Sequence, residues 1–242
     1  RILGTAVFPT ITAISGPVDI AIIATPGETV EALAEECGKK GAAYLVVISS
    51  GFGEMGAEGR AREENLVRIA AKYDMRLVGP NCLGIMRPSL HMNATFGCRL
   101  PPAGNVALLS QSGALADAFV DQAENMGLKL SLFISMGNKA AMDECDFLTI
   151  CADDPETKVI GLYLESIRNG KKFLKLARHI GAVKPIVLLK AGTTERGRKA
   201  VISHTGALAG SEAAVNAICS QAGIHRATST EEFLDLLRTL SL

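Results

Sequence analysis

Short apolar runs alternate with amphipathic stretches along the first third of the chain. The runs at 18–24, 44–48 and 76–79 are dominated by aliphatic residues and predict strands. The stretches at 29–40 and 57–73 carry apolar residues at helical spacing. Near-continuous apolar strands separated by helices predict a parallel α/β sheet that is covered on both faces.

The same alternation starts again in the second part of the chain, after a break. Residues 89–104 contain two prolines and two glycines without periodicity, and they predict a linker between two domains. The strands predicted after the break are 105–110, 130–135, 159–165, 185–190 and 224–227, and the helices are 114–126, 143–153, 171–180, 207–222 and 230–240. This order predicts a parallel α/β domain before the break and a flavodoxin-like, doubly wound domain at 105–242.

Composition excludes several classes of protein. Lys and Arg total 25 and Asp and Glu total 25, so the basic excess typical of nucleic-acid binding is missing. The longest apolar runs fall far short of the ~20 residues that span a bilayer, and no signal peptide is visible. The six cysteines are scattered singly, which favours reduced thiols in a cytoplasmic protein and no metal site.

Candidate chemistry lies at the carboxyl ends of the predicted strands, where open α/β sheets bind ligands. In the second domain, Ser110, Ser112 and Gly113 follow a strand and open a helix. Their hydroxyls and free backbone N–H groups suit an anion, because a helix N-terminus favours negative charge. An ordinary helix N-cap explains the same residues, and the segment alone leaves both interpretations open.

Two titratable residues follow the next strands of this domain. His204 lies in a loop with small residues, where an imidazole can approach a phosphate, although a single histidine is more often structural. Glu165 ends a strand and is either a solvated terminus or a carboxylate that orients an imidazole.

The first domain has its own strand-end segments, at 24–26, 49–51 and 79–84. The Gly-Pro-Asn sequence at 79–81 predicts a tight turn. Cys82 has no base beside it in the sequence, which favours an inert thiol over a reactive one.

Taken together, these segments resemble the NDP-forming acyl-CoA synthetase family, in particular the α part of ADP-forming acetyl-CoA synthetases and, more distantly, of succinyl-CoA synthetases. The matching segments are GPNCLGI at 79–85, GNVALLSQSGAL at 104–115, MGN at 136–138, DPETKVI at 154–160, YLE at 163–165 and SHTGALAGS at 203–211. They occur in the family's order along nearly the whole chain, which makes the resemblance specific.

The resemblance implies a role for each candidate residue. His204 corresponds to the histidine that is phosphorylated by an acyl phosphate, and Glu165 to the carboxylate that orients it. Ser112 and Gly113, with Ser110 nearby, correspond to the helix N-terminus that holds the phosphoryl group. The residues implied to contact CoA are Pro26, Ser49, Ser50, Gly51 and Asn81.

The resemblance also implies domains, a reaction and partners. Residues 1–88 would be a CoA-binding, Rossmann-like domain, and residues 105–242 the ligase domain. The family interconverts acyl-CoA, ADP and phosphate with a carboxylic acid, CoA and ATP. ATP or ADP and Mg²⁺ are expected in an ATP-grasp β subunit or fused domain, within an oligomer. The family's first βαβ unit is expected before Arg1. Asp117 stands where succinyl-CoA synthetases have a tyrosine near the substrate, so succinate is not the expected acid.

Two other functions compete with this one. The same pair of domains occurs as a non-catalytic, CoA-sensing half of protein acetyltransferases. A serine hydrolase would use Ser112, an acid such as Asp154, and His204 in the order of α/β-hydrolases. However, Ser110 and Ala114 occupy the glycine positions of the G-x-S-x-G motif, which makes the hydrolase the weaker alternative.

Overall fold

A small parallel sheet forms the first part of the molecule. The computed structural model describes residues 1–97, 99–192 and 212–242. The sheet has three strands in the order β1-β2-β3, and two helices connect them. The elements are β1 (Ile20–Ile23), α1 (Val30–Lys40), β2 (Tyr44–Val47), α2 (Ala57–Lys72) and β3 (Arg76–Val78).

The two faces of this sheet are covered differently. Leu45 and Leu77 face α1 and α2, within an apolar cluster of the first unit. Val46, on the other face, belongs to the core of the second unit. On the edge strand β1, Ile20 and Ile22 are 39% and 43% exposed. The prediction of a sheet covered on both faces is therefore wrong for one face of β1.

A mixed sheet of seven strands forms the second part, in the order β10-β9-β8-β6-β7-β4-β5. Strands β6 to β10 are parallel to their neighbours in that group, whereas β4 runs antiparallel to both β7 and β5. The strands are β4 (Gly84–Arg87), β5 (Met92–Thr95), β6 (Ala103–Ser110), β7 (Leu130–Ser135), β8 (Val159–Leu164), β9 (Ile186–Lys190) and β10 (His225–Ala227).

The helices of the second unit cover both faces of its sheet. They are α3 (Gly113–Asn125), α4 (Glu144–Asp153), α5 (Gly170–Gly181), α6 (Glu212–Ala222) and α7 (Thr230–Leu240). Phe119 of α3 and Phe233 of α7 pack on one face. Phe147 of α4, Phe173 of α5 and Val215 of α6 pack on the other. The doubly wound architecture predicted for this domain is confirmed, and the described helix ends lie within one residue of the predicted ones. Residues 207–211 of the helix predicted at 207–222 lie outside the described residues.

The segment predicted as a linker is structured. Residues 89–104 contain β5 and the start of β6, and β4 before them already pairs with β7. The sheet of the second unit therefore begins at Gly84, before the predicted boundary at 88. The hairpin escaped prediction because its outer strand, Met92–Thr95, is a partly exposed edge strand of four residues, too short for its alternation of apolar and polar residues to stand out. Among the described residues, no helix is long and apolar enough to cross a bilayer.

Candidate functional site

A cavity of about 760 Å³ lies between the two units, at the carboxyl ends of strands from both sheets. Its lining includes six of the residues predicted to bind CoA or phosphate, namely Pro26, Ser49, Ser50, Asn81, Ser112 and Gly113. It also includes Gln111, Asp117, Gly137 and Asn138. The structure thus brings the segment predicted to bind CoA to the same cavity as the segment predicted to hold phosphate.

The loop after β2 is held against the loop after β1. The hydroxyl of Ser49 donates to the carbonyl of Thr25 at 2.5 Å, so it shapes the wall of the cavity. Ser50 is exposed. A Cβ atom at Gly27 would lie 2.5 Å from the carbonyl oxygen of Ser50, which explains the glycine at that position.

Gly51, predicted to contact CoA, is placed differently from its neighbours. Its N–H donates to Oε1 of Glu54 at 2.6 Å, and its carbonyl accepts from Nη1 of Arg62 at 2.9 Å. Its φ of 103° lies in the region that favours glycine. Gly51 therefore shapes the loop, and it is not among the residues that line the cavity.

The Gly79-Pro-Asn segment forms the predicted tight turn. The Gly79–Pro80 peptide bond is cis, and Asn81 has a φ of 55°. The backbone N–H of Asn81 donates to the carbonyl of Ser49 at 3.0 Å, which joins the turn to the loop after β2. The next residue, Cys82, is buried and donates to the carbonyl of Val47, and burial raises the pKa of its thiol to about 12. This environment is that of an inert thiol.

The N-terminus of α3 forms the opposite wall. Ser112 is the N-cap, and its Oγ accepts from the N–H of Leu115 at 3.4 Å. A hydroxyl that accepts one hydrogen bond still has its own hydrogen to donate, so the N-cap role leaves Ser112 able to bind an anion. Within the described part of the chain, the N–H groups of Gly113 and Ala114 have no protein acceptor.

Ser110 supports this turn from behind. It is fully buried, and its hydroxyl donates to the carbonyl of Ser112 at 2.7 Å. The structure therefore gives Ser110 a supporting position rather than one at the cavity wall.

Glu165 lies just beyond β8 and is 7% exposed, so the interpretation of a solvated strand end is wrong. Its backbone is held from two sides. Oε1 of Gln111 accepts from the N–H of Glu165 at 2.9 Å, and Nζ of Lys190 donates to its carbonyl at 2.7 Å. Burial lowers the pKa of Lys190 to about 8, although the charge of Glu165 opposes this shift. His204 lies outside the described residues.

Asn138 is a residue of the cavity wall to which the sequence analysis assigned no role. Its Nδ2 donates to Oε2 of Glu54 at 2.7 Å and to Oε2 of Glu63 at 2.8 Å. Burial alone would raise the pKa of Glu54, but the hydrogen bonds from Asn138 and from backbone N–H groups lower it below the ordinary value. The signals in the sequence were the position of Met136-Gly-Asn after a strand and its place among the segments that carry the resemblance.

Asp154 does not lie where a hydrolase would need it. It follows α4 and precedes β8, at the amino ends of the parallel strands, whereas Ser112 follows the carboxyl end of β6. Its carboxylate accepts from both terminal nitrogens of Arg87 at 2.7 and 2.8 Å, and Arg87 holds its pKa near 2. The triad with Asp154 as its acid is therefore wrong.

One group of potential metal ligands exists in the described residues, and it is already engaged. Asp143, Glu144 and Cys145 have ligand atoms within 4.8 Å of one another. However, Asp143 caps α4, and the Glu144 carboxylate accepts from Nζ of Lys139 and from the N–H of Arg168, both at 2.7 Å. These contacts indicate a structural role.

Two α/β units that share a cavity at their strand ends, with an open helix N-terminus as one wall, define a two-domain α/β protein whose interdomain cavity suits an anionic ligand. The family described as "Succinyl-CoA ligase like flavodoxin domain" matches residues 103–240, and the family described as "CoA binding domain" matches residues 1–88. The chain belongs to the NDP-forming acyl-CoA synthetase family and is similar to its α part.

Named relatives support this assignment. The chain is 44% identical over 235 residues to acetate–CoA ligase [ADP-forming] I of Archaeoglobus fulgidus, covering 97% of this chain and 34% of the relative. It is 42% identical over 241 residues to acetate–CoA ligase [ADP-forming] II subunit alpha of Pyrococcus furiosus, covering all of this chain and 52% of that subunit.

A solved structure agrees with these sequences. Dinucleotide forming acetyl-coenzyme A synthetase 1 of Ca. Korarchaeum cryptofilum, in complex with phosphate and ADP, superposes with a TM-score of 0.95 at 40% identity. The match covers 100% of this chain and 52% of that one. The chain thus spans about half the length of the α subunit it resembles and about a third of the length of the Archaeoglobus fulgidus ligase.

Proposed function

We propose that this chain acts as the α part of an NDP-forming acyl-CoA synthetase, which interconverts acyl-CoA, ADP and phosphate with a carboxylic acid, CoA and ATP. The observation that carries the proposal is the shared cavity of about 760 Å³. One wall holds the segments expected to contact CoA, and the other holds the open N-terminus of α3. A thioester and a phosphate must meet in the first step of this reaction, and the cavity offers a place for both.

The wall made by the first unit suits the thiol substrate. In this proposal Pro26, Ser50 and Asn81 contact CoA, while Ser49 and Gly51 keep the loop in shape through their bonds to Thr25 and Glu54. Hydroxyl and amide groups next to backbone atoms fit the polar, amide-rich arm and the phosphates of CoA.

The wall made by the second unit suits the phosphoryl group. Ser112 and the N–H groups of Gly113 and Ala114 would donate hydrogen bonds to its oxygens. A phosphate oxygen attacks the thioester carbon, the C–S bond breaks and CoA leaves as the thiol, so that an acyl phosphate remains. One ring nitrogen of His204 then attacks phosphorus, and the carboxylate leaves.

Glu165 would accept the N–H of the other ring nitrogen of His204. A carboxylate in that position fixes the tautomer and stabilises the positive charge that develops on the imidazole. Transfer of the phosphoryl group to ADP regenerates the histidine and forms ATP. ADP and Mg²⁺ would be bound by an ATP-grasp β subunit or fused domain, within an oligomer in the cytoplasm. The relatives named as alpha subunits support this division of the enzyme into an α part and a nucleotide-binding part.

The test combines the chain with a nucleotide-binding partner from the same family and γ-labelled ATP. An acid-labile, base-stable phosphate on the wild-type chain is expected, and none on His204→Asn. His179→Asn, which changes an exposed histidine at the end of α5, is the control and should label normally. Undiminished label on His204→Asn would contradict the proposal. CoA binding without any labelling would favour the CoA-sensing alternative.

A further inference from the structure

Four polar side chains meet where the two units touch beside the cavity. They come from the loop after β2, from α2, from the turn after β3 and from the loop after β7. These residues are Glu54, Glu63, Asn81 and Asn138, and we call them the interdomain amide cluster. Asn138 lies at its centre because it bonds to each of the other three.

Every hydrogen-bonding group of the Asn138 amide is engaged. A primary amide has two N–H donors and one oxygen acceptor. Nδ2 donates to Oε2 of Glu54 at 2.7 Å and to Oε2 of Glu63 at 2.8 Å, while Oδ1 accepts from Nδ2 of Asn81 at 3.2 Å. An amide is needed here, since a carboxylate at position 138 would face two others.

The two carboxylates bound by Asn138 also hold the loop after β2. Oε1 of Glu54 accepts from the N–H groups of Gly51 at 2.6 Å and Phe52 at 3.1 Å. Oε2 of Glu63 accepts from the N–H of Gly53 at 3.1 Å. Three consecutive backbone N–H groups next to Ser50 are therefore held by the carboxylates of Glu54 and Glu63. Asn138, which belongs to the second unit, holds both of these carboxylates in place.

Asn138 itself is held firmly against the first unit. Its backbone N–H donates to the carbonyl of Pro80 at 2.9 Å. A Cβ atom at the preceding Gly137 would lie 2.2 Å from that same oxygen, so the two backbones are already in closest contact. The side-chain amide of Asn138 therefore extends toward Glu54 from a backbone that is held in place against the first unit.

We propose that Asn138 is a positioning residue for CoA: through Glu54 and Glu63 it sets the shape of the loop at 49–53 from across the domain boundary. This inference rests on the proposed function, since it takes CoA as the ligand of that loop. The N-terminus of α3 has no hydrogen bond to the cluster in the described structure. Loss of the cluster should therefore weaken CoA binding and leave phosphate binding unchanged.

The variants are Asn138→Asp, Glu54→Gln and the two combined. In Asn138→Asp a third carboxylate faces Glu54 and Glu63, and we expect the Kd and KM for CoA to rise about tenfold to a hundredfold. The KM for phosphate, measured with the nucleotide-binding partner, should stay within twofold. In the double variant, the glutamine side chain introduced at position 54 can still accept from Gly51 and Phe52 through its oxygen. Its amide nitrogen can donate to the new carboxylate at position 138, which still faces Glu63, so affinity for CoA should be partly restored.

Glu64→Gln, at an exposed position on α2, is the matched control and should bind CoA like the wild type. Asn138→Ala, which adds no charge, gives a second single variant if Asn138→Asp unfolds. The inference is overturned if the single variants bind CoA within twofold of wild type, or if the double variant is no better than Asn138→Asp. An equal rise in the KM values for CoA and phosphate would also overturn it, because general loss of structure predicts that result.

Amide hydrogen exchange separates this inference from the proposed function. Exchange at Gly51, Phe52 and Gly53 should be at least about tenfold faster in Asn138→Asp. In the double variant, exchange at Gly51 and Phe52, which donate to the side chain at position 54, should slow again toward the wild-type rate. If the wild-type chain bound no CoA, the proposed function would fail. The exchange rates would then still decide whether Asn138 holds the loop, and unchanged rates would refute that.

Discussion

The Cα of Gly137 approaches the carbonyl oxygen of Pro80 so closely that a Cβ atom at position 137 would lie 2.2 Å from it. A Cβ atom at position 137 would also lie 2.8 Å from the carbonyl oxygen of Asn81. Gly137 also has a φ of 56°, which disfavours any residue with a side chain. The close contact between the two units therefore requires glycine, which has no Cβ atom, at position 137.

Gly137→Ala should therefore destabilise the protein, by about 2–4 kcal/mol, from the clash and the backbone strain together. Gly113→Ala is a control from the same cavity, since its Cβ would make an ordinary contact with Leu83 at 3.6 Å. Chemical denaturation measures both. Equal free energies of unfolding for the two variants would show that the backbones at the interface adjust freely.

Ser112→Ala tests whether the N-terminus of α3 binds phosphate or carries a nucleophile. As one donor beside several backbone donors, the hydroxyl should contribute about tenfold to a hundredfold to acyl-CoA synthesis with the partner present. Loss of the N-cap should also lower stability by about 1 kcal/mol. Gly113→Lys should inhibit more strongly, because its side chain would enter the phosphoryl site. Complete inactivity of a folded Ser112→Ala would favour a covalent role.

Glu165→Gln should slow the phosphorylation of His204 by about 10²–10³ without abolishing it. Glutamine keeps a hydrogen-bonding group of the same size but carries no charge to stabilise the developing imidazolium. Rapid-quench measurement of the phosphohistidine gives the rate. Glu231→Gln, at an exposed position on α7, is the control. Equal rates for Glu165→Gln and wild type would reduce Glu165 to a structural residue.

Asp154→Asn should change the response to acid. Arg87, chiefly, holds the pKa of Asp154 near 2, below its ordinary value of 3.8. A carboxyl group with a lowered folded pKa stabilises the native state above its unfolded pKa, and that contribution disappears as the pH falls from about 4 to 2. It amounts to about 2 kcal/mol. The variant should be less stable at pH 7 and lose less stability across that window. Parallel curves from pH 5 to pH 2 would contradict this account.

Lys190→Met should alter stability at high pH. Burial, with a smaller contribution from Lys139, lowers the pKa of Lys190 from 10.5 to about 8, against the opposing charge of Glu165. The unfolded chain then binds more protons than the native one between these values, so wild-type stability should rise relative to the variant over pH 8 to 10.5. The expected rise is about 3 kcal/mol at most. A constant difference between the two proteins over that range would place the pKa of Lys190 near its ordinary value.

The regular elements could be predicted because their apolar periodicity is local. Strands such as Leu130–Ser135 and helices such as Thr230–Leu240 have the predicted bounds. The hairpin of β4 and β5 could not be predicted in this way, because its place in the sheet depends on pairing with β7, which lies far along the chain. The exposure of Ile20 and Ile22 was missed for a related reason: sequence periodicity does not say which faces of a strand are covered.

For the site, it was easier to predict which types of residue lie near the cavity than to predict where the polar groups of each residue point. Ser50 and Ser112 line the cavity as expected, whereas Ser110 and Gly51 direct their polar groups into hydrogen bonds within their own turns. Asn138 was missed because its importance comes from Glu54, which lies 84 positions earlier. Only the packing of the two units brings such a pair together.

The pairing of Ile85 in β4 with Ile134 in β7 has a consequence for synthesis on the ribosome. The hairpin leaves the exit tunnel before its partner strand, which lies 49 positions further along the chain. At about 5–20 residues per second, translation of that stretch takes about 2–10 s. During this delay the fully buried Met86 has no sheet to join. The nascent protein therefore carries an unpaired strand edge for seconds, which is a period when chaperones have the opportunity to bind.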